Sequence, residues 1–349
     1  MTADDGRIRQ DRLRSQLLTS GRAARTALDA VRHLVGIQAQ IRSAAALAVR
    51  ARTTGVSSSE VDQAVEPGGS LVRTWLMRGT LHLAASDDLN WLLAALAPVV
   101  LRASRRRYAQ LGLDSATLVR ATDVLREQFD QQPATRARLF AALRAHRVDP
   151  AGQRGIYLIR HAALHGVLVS GPDHGREQTW VRRDESPRAD RDEALVTLAR
   201  RYRAGYGPAD ARDLAGWSGL PLAEAEHAVR LAGEPDERAD PRHAGQAAVK
   251  LLPHFDPYVI GYAGRDHAAP AQHRRSVWTG GGYVLPTVMR DGVAMGTWRS
   301  EPKGARVVVT VRPFDSGPLP AAVSPGVTDE VADIARFLGR EVSWSVDVT

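Results

Sequence analysis

Two amide side chains stand two residues apart in the stretch VGIQAQ, which covers residues 35–40. An amide has no pKa in the working range, so Gln38 and Gln40 cannot act as general bases. Their carbonyl oxygens can still accept a hydrogen bond from a water molecule and orient it for attack. The flanking residues predict an amphipathic helix over 26–38, on which residues i and i+2 do not share a face. Either the two glutamines do unrelated jobs, or the backbone near Gly36 leaves the helix and turns both toward one site.

Few other residues have the spacing of a known catalytic site. The chain contains no P-loop, no GxSxG motif, no HExxH motif and no cysteine, which excludes disulfides and cysteine-ligated zinc. His161 and His165 lie four residues apart on a predicted helix, but the sequence offers no further ligand beside them, so a structural or surface role is favoured. Amine chemistry has two lysines to draw on, Lys250 and Lys303. We therefore expect neither a metal nor a cofactor.

The charge of the chain points to an anionic partner. The formal net charge is +8 at pH 7, and all basic side chains except the two lysines are arginines. This balance predicts nucleic acid as the partner, because arginine forks bind phosphates and base edges bidentately. The arginine bias alone is also typical of a GC-rich genome. No apolar run is long enough to span a bilayer, and the first residues lack a secretory pattern. We expect a cytoplasmic monomer with no membrane contact, associated with the nucleoid when bound to DNA.

The predicted secondary structure repeats an outline of helices followed by a hairpin. The runs SLVRTWLM and TLHLAA have strand character around Arg78 and Gly79. Further along, Thr135 caps the helical run RARLFAALRAH, and GVLVSG can pair with QTWVRR. Residues 208–231 have the spacing of a helix-turn-helix. After about residue 246 the apolar period changes to two, which predicts strands.

These patterns predict an α+β protein with three tandem winged helix-turn-helix units and a C-terminal β-barrel-like sheet. Residues 234–245 are polar and contain prolines, and they predict a linker. The predicted domains, in chain order, are residues 1–86 for winged helix 1 with the glutamine pair, 87–186 for winged helix 2, 190–233 for the helices of winged helix 3, and 246–349 for a β-rich domain that carries the third wing.

Three blocks of the sequence carry a resemblance to a known family. They are HLVGIQAQ at 33–40, VRTWLMRGTLHLAASDDLNWLL at 72–93 and LLPHFDPYVIGYAGR at 251–265. In this order they resemble the winged-helix DNA glycosylases, members of which remove bulky alkylated purines, and among these the azinomycin-resistance branch. In that branch two glutamines mark the catalytic site, whereas another branch has an aspartate at the second position. Gln38 and Gln40 match the first pattern, and the resemblance implies three winged helices that form a C-shaped DNA cradle.

The resemblance implies a monofunctional glycosylase that hydrolyses the N-glycosidic bond of N7-alkylguanine in double-stranded DNA. Bulky adducts or interstrand crosslinks are the expected lesions, and the expected role is repair or self-resistance to a DNA-alkylating natural product. Because N7 alkylation makes the base cationic, its departure needs no protonation, and an amide pair would mainly hold a water and stabilise an oxocarbenium-like state. The alternative is a non-enzymatic winged-helix DNA-binding protein, either a regulator or a lesion binder.

Two of the blocks add further candidate site residues. Arg73, Arg78 and His82 lie on the predicted first hairpin and could face DNA, with a structural hydrogen bond as an equally good interpretation for each. In the third block, Asp256 and Arg265 could support the site or simply tie the sheet to the helices. These residues and the glutamine pair are the site that the sequence predicts.

Overall fold

The computed structural model describes residues 3–19, 23–129, 132–175, 177–184, 189–233, 249–315 and 317–347. Within these ranges the chain is mixed α+β, as predicted. The helices are α1 (Ala3–Ser15), α2 (Ala27–His33), α3 (Arg42–Arg50), α4 (Ser58–Ala64), α5 (Leu89–Gln110), α6 (Ser115–Glu127), α7 (Arg136–Ala145), α8 (Arg154–Leu164), α9 (Arg191–Tyr206), α10 (Ala211–Ser218), α11 (Leu222–Ala232), α12 (Pro257–Ile260), α13 (Arg274–Val277) and α14 (Ser324–Leu338). The strands are β1 (Ile37–Gln38), β2 (Leu71–Trp75), β3 (Leu81–Ala85), β4 (Ala134–Thr135), β5 (Leu168–Ser170), β6 (Thr179–Arg182), β7 (Val249–Leu252), β8 (Trp278–Gly280), β9 (Tyr283–Val284), β10 (Thr287–Arg290), β11 (Val293–Lys303), β12 (Arg306–Pro313) and β13 (Val342–Val346).

The first two predicted units have the same order of elements. The first runs α2-β1-α3-α4-β2-β3 and the second runs α6-β4-α7-α8-β5-β6. In each unit the short strand after the first helix pairs with the last strand of the hairpin. The helix start predicted at Thr135 is confirmed, since Thr135 caps α7, and in the first unit Ser57 and Glu60 form a capping box on α4. The division into three winged-helix domains itself stays a prediction.

One six-stranded sheet joins these two units. Its strand order is β1-β3-β2-β5-β6-β4, with the hairpins β2–β3 and β5–β6 side by side. At the seam Arg73 of β2 pairs with Ser170 of β5. The second unit therefore packs against the strand that carries Arg73, next to the segment with the two glutamines.

The helix-turn-helix predicted after the second unit is confirmed in its spacing. Helix α10 ends at Ser218, Gly219 adopts a left-handed φ of +85°, and α11 begins at Leu222. The predicted linker over 234–245 lies outside the described residues, as does the start of the predicted β-rich domain at 246. The third wing stays a prediction.

The C-terminal sheet is open, so the predicted barrel-like closure is wrong. Its order is β13-β12-β11-β10-β7, which leaves β7 and β13 as edges. At the β7 edge the Leu251 amide donates to Glu330 of α14 at 3.0 Å, and the Leu251 carbonyl accepts from Arg50 of α3 at 3.0 Å. Two side chains thus take hydrogen bonds that a closing strand would need. Alternating apolar residues predict strands but do not reveal which edges are capped by side chains.

Candidate active site

A sharp turn at Val35 and Gly36 ends the first helix early. Helix α2 stops at His33, Val35 has a φ of +64°, and Gly36 has a φ of +154°. A Cβ on Gly36 would lie 3.1 Å from the Leu83 carbonyl oxygen and 3.1 Å from the end of the Met77 side chain. A glycine is needed here both for its backbone conformation and for this close approach. The helix predicted to reach residue 38 is therefore wrong in its last residues.

The turn places the two glutamines on one face of an extended segment. Alternate residues of a strand share a face, and Ile37 and Ala39 are fully buried in the apolar core on the other side. Gln38 is 7 % exposed, whereas Gln40 is exposed. The Gln38 Nε2 donates a hydrogen bond of 2.6 Å to Gln40 Oε1. Of the two alternatives left by the sequence, the structure favours the one in which the backbone leaves the helix and brings both amides together.

Arg78 determines which way the two amides point. It adopts a left-handed φ of +53° in the turn between β2 and β3. Its Nη2 donates to Gln38 Oε1 at 3.1 Å, and its Nη1 donates to the carbonyl oxygen of Trp217 in α10. Because a guanidinium can only donate, the Gln38 oxygen must face Arg78 and its amino group must face the Gln40 oxygen. Arg78 thus fixes the hydrogen-bond polarity of both glutamines.

We expect Gly36→Ala to damage the site more than a comparable glycine substitution elsewhere. The alanine is strained at a φ of +154°, at a cost of about 1–3 kcal/mol, and its Cβ crowds Leu83, so the glutamine segment must shift. Gly55→Ala is the matched control, because its φ is +83° and open space surrounds it. Thermal unfolding should show a loss of stability in both variants, while base excision, the activity that the sequence resemblance implies, should fall in Gly36→Ala alone. Equal excision in the two variants would contradict the role of the turn.

His82 lies across from Gln38 on β3 and is 2 % exposed. Its Nδ1 is 3.0 Å from the Thr80 carbonyl oxygen, which can only accept, so Nδ1 carries the proton and Nε2 does not. Burial, followed by the nearby charge of Arg78, lowers the pKa of His82 to about 3. The ring is therefore neutral at physiological pH. The DNA contact suggested for His82 stays a prediction, and its burial favours a structural role.

Arg73 is also buried and bonded within the protein. Its Nε donates to the carbonyl oxygen of Ala39 at 2.8 Å, and its Nη1 donates to Ser170 at 3.4 Å. Burial, with the charge of Arg42 as a second cause, lowers the pKa of Arg73 to about 10. Arg73 thus holds the backbone between the two glutamines, while Arg78 holds a side chain. For both arginines DNA contact stays a prediction beside this supporting role.

The two candidates of the third block, Asp256 and Arg265, have different surroundings in the structure. Asp256 is fully buried and receives two hydrogen bonds of 2.8 Å from Arg52, whose side chain is also fully buried. Asp256 also caps α12 by accepting from the Tyr258 amide at 2.9 Å. Arg265 is exposed, with its guanidinium 5.1 Å from the ring centre of Trp278. Asp256 therefore ties the C-terminal part to the end of α3, and site support by either residue stays a prediction.

Two residues of this arrangement were missed from the sequence. Trp217 supplies the backbone carbonyl that holds Arg78, and Arg52 is the partner of Asp256. Neither has a sequence signal, because a backbone acceptor is available at any residue and Arg52 resembles the many other arginines of the chain. Contacts between residues far apart in sequence reveal them.

The described residues contain no cluster of three or more histidine, aspartate or glutamate side chains suited to a metal ion. His161 bonds through Nδ1 to Thr122 Oγ1 at 3.0 Å and packs against His165 with ring centres 4.5 Å apart. Burial is the main cause that lowers the pKa of His161 to about 4. In the same part of the chain, no helix has the length and apolar character needed to cross a bilayer.

Comparison with known proteins identifies the family. The model of the family described as "DNA glycosylase AlkZ-like" matches residues 31–337, from α2 to the end of α14. The chain belongs to the AlkZ-like DNA glycosylase family. This chain is therefore a DNA glycosylase, a hydrolase that acts on N-glycosyl bonds. Its substrate is DNA, and its role is DNA repair. The family resemblance drawn from the three sequence blocks is confirmed.

A curated relative and a solved structure, both from Streptomyces sahachiroi, are similar to this chain over nearly its whole length. The "Interstrand DNA cross-link repair glycosylase" is 28% identical over 347 residues, which cover 90% of this chain and 91% of the relative. The solved structure of "Streptomyces sahachiroi DNA glycosylase AlkZ" superposes with a TM-score of 0.79 at 25% identity, covering 99% of this chain and 100% of that chain. The shared fold extends across the six-stranded and the five-stranded sheet of this AlkZ-like chain.

Proposed function

We propose that the chain hydrolyses the N-glycosidic bond of N7-alkylguanine in double-stranded DNA and acts as a monomer. Bulky adducts and interstrand crosslinks are the proposed lesions, in line with the name of the 28% identical relative. Self-resistance to a DNA-alkylating natural product is the proposed physiological setting. The observation that carries the proposal is the hydrogen-bonded pair of neutral amides, with Gln38 buried and Gln40 exposed.

The chemistry of the lesion suits a site without an acid. N7 alkylation makes guanine cationic, so the electron pair of the C1′–N9 bond leaves with a base that becomes neutral. The site then has to place a water against C1′, and that water loses one proton to solvent as the hydroxyl of the abasic site forms. Gln40 Oε1 accepts from Gln38 and has a second lone pair for the water. Gln38 and Arg78 hold this oxygen in position.

The lysines support water rather than an amine as the nucleophile. Lys250 Nζ donates to Glu330 at 2.8 Å, and the same carboxylate receives Arg50 at 2.9 Å. An ion-paired ammonium is protonated and has no lone pair with which to form a Schiff base. Lys303 ends β11 and is exposed. We therefore propose a monofunctional enzyme that leaves the abasic site intact.

A duplex that contains N7-methylguanine tests both parts of this proposal. We expect release of the free base, a strand that breaks only after alkaline treatment, and no covalent protein–DNA adduct when borohydride is present during turnover. Lys250→Met is the matched variant and should release base at the wild-type rate. DNA binding without base release would favour the non-enzymatic alternative. An adduct that disappears in Lys250→Met would overturn the water mechanism.

The lesion is tested separately with defined adducts. A panel of duplexes with N7-methylguanine, a bulky N7 adduct and an N7-linked interstrand crosslink should show the fastest single-turnover excision for the bulky or crosslinked bases. Preference for N7-methylguanine would contradict the proposed lesion class and leave the chemistry of the glutamine pair unaffected.

A further inference from the structure

Arg160 of α8 reaches from the second unit to the hairpin turn that holds the glutamine pair. A Cβ built on Gly79 would overlap the Arg160 guanidinium and would lie 3.0 Å from a methyl group of Val100. Gly79 has a φ of +68° and directly follows Arg78, whose guanidinium bonds Gln38. The guanidinium of Arg160 therefore lies against the turn that orients the site.

This guanidinium is partly buried, yet it has no anionic partner among the described residues. No carboxylate of the described chain forms an ion pair with it, and its buried Nε has no hydrogen-bond acceptor. Its aromatic neighbour is Tyr157, with the ring centre 5.7 Å away. By contrast, the buried arginines Arg50 and Arg52 each bond a carboxylate. Removing a cation from water is costly unless an anion or acceptors replace the lost water, so the position is unusual for a purely structural arginine.

Burial also lowers the pKa of Arg160, but a guanidinium stays charged at any physiological pH. A phosphodiester matches its fork of donors and can form charge-assisted, bidentate hydrogen bonds. Arg73 and Arg78, for which the sequence left DNA contact and a structural hydrogen bond as alternatives, donate to protein acceptors. Arg160 lies beside the turn that carries Arg78 and has no carboxylate partner among the described residues, so an incoming phosphate can serve as its anion.

We propose that Arg160 binds a phosphate of the DNA backbone and thereby holds the sugar of the target nucleotide beside Gln40. The contact rests on the proposed function, because it assigns a DNA-positioning role next to the proposed catalytic pair.

Binding of Arg160→Ala to an undamaged duplex and to a duplex with a tetrahydrofuran abasic analogue tests this contact. The slope of log affinity against log salt should become shallower by about one, as expected for one lost phosphate contact. Arg340→Ala is the matched control, because Arg340 is exposed on the loop after α14 and its loss removes the same charge. Arg160→Lys keeps the charge but loses the fork, and should recover the slope only in part.

A neutral methylphosphonate at each phosphate flanking the abasic analogue locates the contact. One such substitution should weaken binding of the wild type and of Arg340→Ala, and leave Arg160→Ala unaffected. The thermal midpoint of Arg160→Ala should equal or exceed that of the wild type, since a desolvated, unpaired cation is removed. An unchanged salt slope in Arg160→Ala would overturn the proposal. A thermal midpoint of Arg160→Ala below that of the wild type, together with weaker binding of this variant at every methylphosphonate that weakens the wild type, would show a structural role and would also overturn it. These readouts do not need excision, so their failure is distinct from an absence of base release in the wild type.

Discussion

Gln40→Ala is expected to slow single-turnover excision of N7-methylguanine by roughly tenfold to a thousandfold, the range for losing a positioning or electrostatic group. Gln40 is the exposed member of the pair, and its Oε1 is held by Gln38 at 2.6 Å. Truncation removes the oxygen that would orient the water, while the buried Gln38 and the exposed Arg78 remain. The measurement is the rate of base release at saturating protein, with the affinity for undamaged duplex measured in parallel and expected to change little.

Excision by the Gln38→Ala variant should also be slow, but for a different reason. Gln38 passes the orientation set by Arg78 on to Gln40, so its loss frees the Gln40 amide to rotate. It also removes the partly buried hydrogen bond that Arg78 donates to Gln38, so Gln38→Ala should lower thermal stability where Gln40→Ala does not. Gln63→Ala is the matched control, because Gln63 is an exposed glutamine on α4. Wild-type excision rates in both Gln38→Ala and Gln40→Ala would remove the pair from the mechanism.

The position of the pair could be predicted in part from the sequence. Two amides on either side of an alanine, with the first two residues after a glycine, left a helix end near Gly36 as one of two alternatives. The apolar spacing of α2 nevertheless extended the predicted helix to residue 38, because helical periodicity carries no information about a turn. That turn depends on Leu83 and Met77, which approach Gly36 from the hairpin more than forty residues away. Contacts between residues so far apart in the chain cannot be found from local sequence patterns.

The suggestion that Arg73, Arg78 and His82 of the first hairpin could face DNA was limited in the same way. Alternation along a strand separates two faces but does not say whether another strand covers one of them. In the structure β2 is a central strand, flanked by β3 and by β5 of the second unit. Arg73 and His82 are buried, and Arg160, whose buried Nε has no acceptor, comes from α8 of the second unit. Helix starts such as Ser57 and Thr135 were predictable, because capping depends on residues within one turn.

Asp256→Ala is expected to lower the free energy of unfolding by about 3–5 kcal/mol, the cost of leaving one member of a buried ion pair behind. Both side chains are fully buried, and the two hydrogen bonds between Arg52 and Asp256 are 2.8 Å long. Arg52 also donates to the Ala48 carbonyl and to Gln16, so it is held in place and cannot move to solvent with its charge. Urea unfolding of the full chain is the measurement.

An apolar replacement of both partners distinguishes this ion pair from ordinary packing. Arg52→Met combined with Asp256→Leu should be less destabilising than Asp256→Ala alone, because no charge is left unpaired in the interior. The excision rate of Asp256→Ala, measured well below its unfolding midpoint, should stay within a few-fold of wild type if Asp256 acts through the fold. A small loss of stability together with a large loss of excision would instead assign Asp256 to the support of the glutamine pair. The two outcomes separate because the hydrogen bonds of Asp256 go to Arg52 and to the Tyr258 amide and not to the glutamine pair, whereas its contribution to the interior is direct.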